Sequence, residues 1–110
     1  MNSYPQKGEY IAVDFSPAEG HEQQGFRPAL VVSENAMNKY GLVWALPITS
    51  TQKGPGRFVL PAGESVQGAV LFTQIKTLDL ETRAFLFKGR ASDEVMEEAQ
   101  GKVAAILGIE

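Results

Sequence analysis

Short apolar runs alternate with turn residues along most of the chain. Gly, Pro, Ser and Asn separate these runs, and Val, Ile, Leu and Phe fill them. Repeated short runs of this kind, about 8–15 residues apart, predict a small antiparallel sheet or barrel. The predicted strands span residues 9–15, 29–32, 42–48, 57–60, 68–75 and 84–88.

Only the C-terminal stretch has clear helical periodicity. Ser92 is a good N-cap, acidic residues follow it, and Gly108 suits a C-terminal stop. The pattern predicts a helix that packs on the sheet or on a partner, and residues 34–40 predict one further helical turn. One apolar stripe at three- and four-residue spacing comprises Val95, Met96, Ala99, Val103, Ile106 and Leu107.

Composition indicates one globular domain of 110 residues, with 44% hydrophobic and 21% charged residues. No apolar run approaches the roughly 20 residues that span a bilayer, and no signal core begins the chain, so we expect a cytoplasmic protein without a membrane contact. A single histidine and no cysteine argue against zinc, and no D-x-D cluster suggests another metal. We therefore expect neither metal nor cofactor.

Charge is unevenly distributed. The net charge is −3, which taken alone argues against nucleic-acid binding. However, residues 35–63 contain no Asp or Glu but do contain Lys39, Lys53 and Arg57, whereas the last twenty residues hold five of the thirteen acids. The middle of the chain is thus locally positive, which permits a phosphate-binding face.

Polar side chains concentrate at three places beside predicted strands. His21, Glu22 and Arg27 lie on a loop of about ten residues and its junction with a strand, and such loops often carry function. Thr49 opens a Ser/Thr-rich loop, and Gln74 and Lys76 interrupt or follow an apolar run. Each feature also has an ordinary structural explanation: a solvated histidine, a surface ion pair, turn hydroxyls.

In combination these segments resemble the MazF/PemK group of toxin–antitoxin ribonucleases. The resemblance runs from about residue 8 to 108 through GEYIAVDFSPAEGHEQQGFRPALVVS, LPITST and GAVLFTQIKTLDLETR. Its most specific part is G-[HS]-E-Q-x-G-x-R-P, which residues 20–28 match throughout. The resemblance implies an SH3-like β-barrel with a C-terminal helix, forming a homodimer that cuts single-stranded RNA without metal and is held inactive by a cognate antitoxin.

The family's catalytic arginine falls on Arg27 and its hydroxyl residue on Thr49. The glutamate of E-Q-x-G falls on Glu22, and His21 matches members with histidine there, so either is a candidate base. RNA supplies its own nucleophile, because the 2′-hydroxyl can attack the adjacent phosphorus and leave a 2′,3′-cyclic phosphate and a 5′-hydroxyl. Further contacts to RNA are predicted for Gln23, Gln52, Lys53, Arg57, Gln74 and Lys76.

The chain departs from the pattern R-x-D-Q of some members. Leu71 and Thr73 occupy the arginine and aspartate positions, and only Gln74 is kept. A mechanism that depends on that pair is therefore absent, and the chemistry falls to Arg27, Thr49 and the His21–Glu22 loop.

Two alternatives come from other functional classes. A toxin resembling CcdB would bind DNA gyrase without cutting RNA, but that group ends its last helix in Trp-Gly-Ile, and this chain ends in LGIE. A non-cleaving SH3-like binding module is the other. We also expect Trp44, in the middle of an apolar strand, to be a core residue.

Overall fold

A computed structural model describes residues 4–15 and 25–109 of the chain. The described residues form a mainly antiparallel β-structure followed by a C-terminal helix, as predicted. In chain order its elements are β1 (Glu9–Asp14), β2 (Phe26–Val31), α1 (Asn35–Asn38), β3 (Leu42–Thr49), β4 (Phe58–Val59), β5 (Ala69–Val70), β6 (Lys76–Asp79), β7 (Phe85–Arg90) and α2 (Asp93–Leu107).

Strand β3 organises the sheet. Strands follow the order β4-β5-β3-β2-β1-β7, and β6 also pairs with β3. The first half of β3 lies against β6, with Leu42 opposite Asp79, and its last residues lie against β5, with Thr49 opposite Ala69. One long strand therefore serves two sets of neighbours and brings the β4–β5 unit beside the central strands.

The central strands are buried on both faces. Because successive strand residues point to opposite sides, odd and even positions enter different clusters. Beneath α2 the cluster comprises Tyr10, Leu30, Leu46, Ile48, Phe58, Leu60, Val70, Val95 and Ala99. On the other face it comprises Ile11, Val13, Ala29, Val31, Val43, Ala45 and Leu78.

Helix α2 begins and ends as the sequence predicts. The Ser92 hydroxyl accepts a hydrogen bond from the Val95 backbone N–H at 3.2 Å, and Asp93 and Glu94 occupy the first turn. A cap of this kind contributes about 1 kcal/mol. The helix ends at Gly108, in the left-handed conformation. Its stripe is buried at Val95 and Ala99 but exposed at Ile106 and Leu107.

Two predictions are wrong. Residues 68–75 do not form one strand: β5 ends at Val70, a turn closes with the Gln74 N–H donating to the Leu71 carbonyl, and β6 begins at Lys76. The segment is apolar because some side chains of the turn, rather than of a strand, pack against the rest of the protein. Trp44 is also not a core residue, since 44% of its surface is exposed.

No helix among the described residues is long and apolar enough to cross a membrane.

A carboxylate fastens three elements together. The Tyr10 hydroxyl, on β1, donates to Glu64 Oε1 at 2.5 Å, and the Ser92 backbone N–H donates to the same oxygen at 3.3 Å. Partial burial opposes ionisation of Glu64, but the hydrogen bonds from Tyr10 and Ser92 outweigh it and lower the pKa of the carboxyl. Burial, and then the bond to Glu64 and its charge, raise the pKa of Tyr10 well above its ordinary value.

This network predicts a pH-dependent loss of stability. With its folded pKa lowered, Glu64 contributes fully above its ordinary value of 4.5, and the contribution is lost as the pH falls through the folded pKa. We expect Tyr10→Phe to lower the free energy of unfolding by about 1 kcal/mol at pH 7, a modest value because the carboxylate is partly solvated. Urea unfolding at pH 7 and pH 3 measures this.

At pH 3 the difference between wild type and Tyr10→Phe should shrink. Tyr40→Phe is the matched control, because Tyr40 is 70% exposed. An equal loss in Tyr10→Phe at both pH values would show that the ionised carboxylate is not the partner that matters.

Candidate active site

A cleft of about 350 Å³ lies where β2 begins and β3 ends. It brings together two of the residues predicted to be catalytic, Arg27 and Thr49. The remaining lining residues are Phe26, Pro28, Ile48, Ser50 and Gln67.

Strand register explains why Arg27 and Thr49 meet. Strands β2 and β3 are antiparallel, with Leu30 opposite Leu46 and Ala29 opposite Pro47. Continuing this register by two residues places Arg27 opposite Thr49. Arg27 and Thr49 are 22 residues apart in sequence. Their meeting point is fixed because both strands bury alternate side chains, which sets the register.

Arg27 is an exposed cation on a firmly held backbone. Its strand is paired with β1 on one side, where Arg27 lies opposite Val13, and with β3 on the other. No carboxylate within residues 4–15 and 25–109 forms an ion pair with it. A planar guanidinium presented in this way suits bidentate binding of a phosphate group.

Thr49 offers a hydroxyl donor. Its Oγ1 accepts a hydrogen bond from the Thr51 backbone N–H at 3.1 Å, which fixes the oxygen and leaves the hydroxyl proton to point elsewhere. Thr49 also pairs with Ala69 of β5, so the backbone that carries the hydroxyl belongs to the sheet.

The other predicted residues do not line this cleft. His21, Glu22 and Gln23 lie outside the described residues. Arg57 is turned into its own loop, donating from Nη1 to the Thr51 carbonyl at 2.6 Å, and Gln52 and Lys53 are exposed on the same loop. Gln74, at the end of the turn that follows β5, and Lys76, at the start of β6, are both exposed. Their roles in RNA binding stay predictions.

Gln67 was not predicted. It follows a short run of loop residues and precedes Gly68, and a glutamine in such a loop carries no pattern that distinguishes it from solvated surface. Only the pairing of β5 with the end of β3 brings it to the cleft.

Two further concavities differ sharply in chemistry. One of about 470 Å³ is lined by Glu94, Glu97 and Glu98 with Pro61 and Val95, so its charge disfavours a phosphate ligand. The other, of about 260 Å³, contains almost no polar groups, and we call its lining the apolar surface. Its apolar residues are Trp44, Phe72, Ile75, Val103, Ile106 and Leu107.

Residues 6–107 match the family described as PemK-like, MazF-like toxins of type II toxin–antitoxin systems. The chain belongs to this family.

Among the described residues no group of three or more His, Cys, Asp or Glu side chains is placed to hold a metal ion.

Individual relatives are similar over nearly their whole length. The endoribonuclease toxin ChpB of Escherichia coli strain K12 is 40% identical, over 93% of this chain and 93% of that protein. A crystal structure of MazF from Deinococcus radiodurans has 40% identity and a TM-score of 0.82, covering 96% of this chain and 98% of that one. A MazE–MazF crystal structure from the same organism has 35% identity and a TM-score of 0.82, covering 97% and 98%.

Gly68 lies directly against the backbone of Thr49, a residue that lines the cleft. Its φ is +127°, and a Cβ there would lie 2.5 Å from the Thr49 carbonyl oxygen, an impossible separation. We expect Gly68→Ala to lower the free energy of unfolding by about 3 kcal/mol, since strain and a backbone clash add. Thermal and urea unfolding measure the loss.

Gly63→Ala provides the control for strain alone. Gly63 has a φ of +99°, but a Cβ there would meet nothing within 4 Å. Its substitution should cost about 1 kcal/mol. Equal losses for the two variants would contradict a tight approach of Gly68 to Thr49.

Proposed function

We propose that the chain is a metal-independent, sequence-specific endoribonuclease toxin of the cytoplasm that cleaves single-stranded RNA. The observation that carries the proposal is the cleft in which Arg27, an exposed cation, stands opposite the Thr49 hydroxyl. Membership of a toxin family and 40% identity to an endoribonuclease toxin support the same reaction.

The reaction uses the nucleophile that RNA carries. The 2′-oxygen attacks the adjacent phosphorus in line, the new P–O2′ bond forms, and the P–O5′ bond breaks. The 2′-hydroxyl proton passes to a base, for which His21 and Glu22 are the two candidates, and the departing 5′-oxygen takes up a proton. The products are a 2′,3′-cyclic phosphate and a 5′-hydroxyl.

The described residues account for charge stabilisation in this step. Negative charge grows on the non-bridging oxygens as the phosphorane forms, and the Arg27 guanidinium can donate two parallel hydrogen bonds to them. The Thr49 hydroxyl can donate a third. The backbones that carry both groups are held in place before substrate arrives, because their strands are paired on both sides.

Partner chains form part of the proposal. We infer that a cognate antitoxin neutralises the protein, which the family description and the MazE–MazF structure support. We also infer that the protein is a homodimer. Water-exposed Trp44, Ile106 and Leu107 on the apolar surface are suited to burial against a second copy of the chain.

Substitution of Arg27 tests the enzymatic proposal. With EDTA present, we expect wild-type protein to cut a long, weakly structured RNA into discrete fragments ending in 2′,3′-cyclic phosphate, and to leave the corresponding DNA intact. Arg27→Ala should reduce the rate by about 10²–10³-fold, the usual effect of losing a charge-stabilising donor. Arg27→Lys should recover only part of it, because an ammonium lacks the fork.

Arg90→Ala is the matched control, since Arg90 is a surface arginine on β7 that lies 3.8 Å from a Glu9 carboxylate oxygen. It should keep wild-type activity. Intact RNA with the folded wild-type protein, or undiminished cleavage by Arg27→Ala, would refute the assignment.

Dimerisation is tested at the end of α2. Leu107 is 60% exposed on the apolar surface, and a charge there would be buried in a dimer, so we expect Leu107→Asp to raise the dimer dissociation constant at least about 100-fold. Sedimentation velocity at several micromolar concentrations measures this.

The control is Leu86→Asp, because Leu86 is 54% exposed on β7 and does not line the apolar surface. Equal dissociation in both variants, or none in Leu107→Asp, would place self-association on another face.

A further inference from the structure

The third side of the cleft is built by the β4–β5 loop, residues 60–68. Gln67 is its one member among the lining residues, and the rest of the lining belongs to β2, β3 and Ser50. The Gln67 side chain is exposed, and its amide forms no hydrogen bond with another described residue. An amide at the mouth of a cleft with both its donor and its acceptor unused can bind a ligand.

The loop holds Gln67 in place through anchors at several points. The Leu60 N–H donates to the Gly68 carbonyl at 2.8 Å and closes the loop at its base. Glu64 is fastened to Tyr10 and to the start of α2. Gly68 lies directly against the Thr49 carbonyl, so the residue before it has a fixed place beside the catalytic hydroxyl.

The tip of the loop is held against β7 as well. A Cβ at Gly89 would come within 2.0 Å of the Ser65 hydroxyl oxygen, so that loop and strand are in close contact. With the loop anchored at residues 60, 64, 65 and 68, the Gln67 backbone does not have to be ordered on binding, and only the side chain loses freedom, which favours selective recognition.

The chemistry of the cleft distinguishes a base from a phosphate as the ligand of Gln67. A phosphate oxygen only accepts hydrogen bonds, and Arg27 already supplies donors for it. A glutamine amide has a donor and an acceptor side by side, as do the edges of unpaired nucleobases. Phe26, 45% exposed in the same cleft, offers a ring on which a base can stack.

We propose that Gln67 is a specificity-determining residue, whose side-chain amide hydrogen-bonds the edge of a nucleobase next to the scissile phosphate. This inference rests on the proposed ribonuclease function and adds to it the group that reads sequence. Arg27 and Thr49 bind the phosphate of every sequence alike, whereas Gln67 favours one base over the others at a single flanking position.

Short RNAs test the proposal. The preferred cleavage site is first mapped with wild-type protein, and substrates are then made with each of the four bases at each flanking position. We expect Gln67→Ala to reduce discrimination among the four bases about tenfold at one flanking position, measured as the ratio of kcat/KM values, and to leave the preferences at other positions unchanged.

A second variant separates donor from acceptor. Gln67→Glu keeps the shape and the acceptor but loses the donor, so preference at that same position should move toward a base whose edge presents an amino group, such as cytosine. Gln100→Ala, an exposed glutamine of α2 that does not line the cleft, is the matched control and should keep the wild-type pattern. Thermal unfolding verifies that all variants fold.

The outcomes separate the two proposals. Unchanged base preference in both Gln67 variants of an active enzyme would overturn the inference and leave the ribonuclease function standing. A uniform loss of rate for all bases would also overturn it, because it would indicate a phosphate or structural contact. A folded wild-type protein that cuts no RNA would overturn the proposed function itself.

Discussion

The antiparallel register of β2 and β3 is the constraint on which the rest of the molecule depends. Both strands are buried on both faces, so a shift of one residue would turn two sets of core side chains toward the wrong clusters. The same register sets Arg27 opposite Thr49, two residues beyond the pairing of Ala29 with Pro47. The packing of the central strands therefore determines where Arg27 and Thr49 lie relative to each other, although neither side chain packs in the core.

Much of the fold could be predicted from local patterns. The Ser92 cap, the Gly108 stop and the apolar stripe between them define α2 at its termini and on its buried face. Strands β1 and β3 also follow from their β-favouring apolar residues, to within one residue at their ends. Strand β2 is predicted from residue 29 and begins three residues earlier, at Phe26. These features depend on neighbours in sequence, which is why a single sequence reveals them.

The wrong predictions share a different cause. Residues 68–75 are apolar enough for one strand, but β5 and β6 pair with β3 in registers that differ by three residues, so the chain between Val70 and Lys76 must turn. Trp44 has core-like neighbours on both sides, yet its face of β3 lies at the open edge of α2, where the helix no longer covers the sheet. Gln67 reaches the cleft through the same β5 pairing. Each of these outcomes is decided by which elements meet in space, and no local pattern encodes that.

The anchoring of the β4–β5 loop affects how the RNA specificity of such a protein can evolve. The two side chains that contact the phosphate in the proposed reaction belong to β2 and β3, and most other residues of these strands are buried in the core. Gln67 belongs to a loop whose backbone is held by other residues, so its own side chain contributes nothing to folding. A substitution at this one position can change the base that the protein recognises without changing the reaction or the stability of the fold. A single mutation is then enough to give a new target sequence.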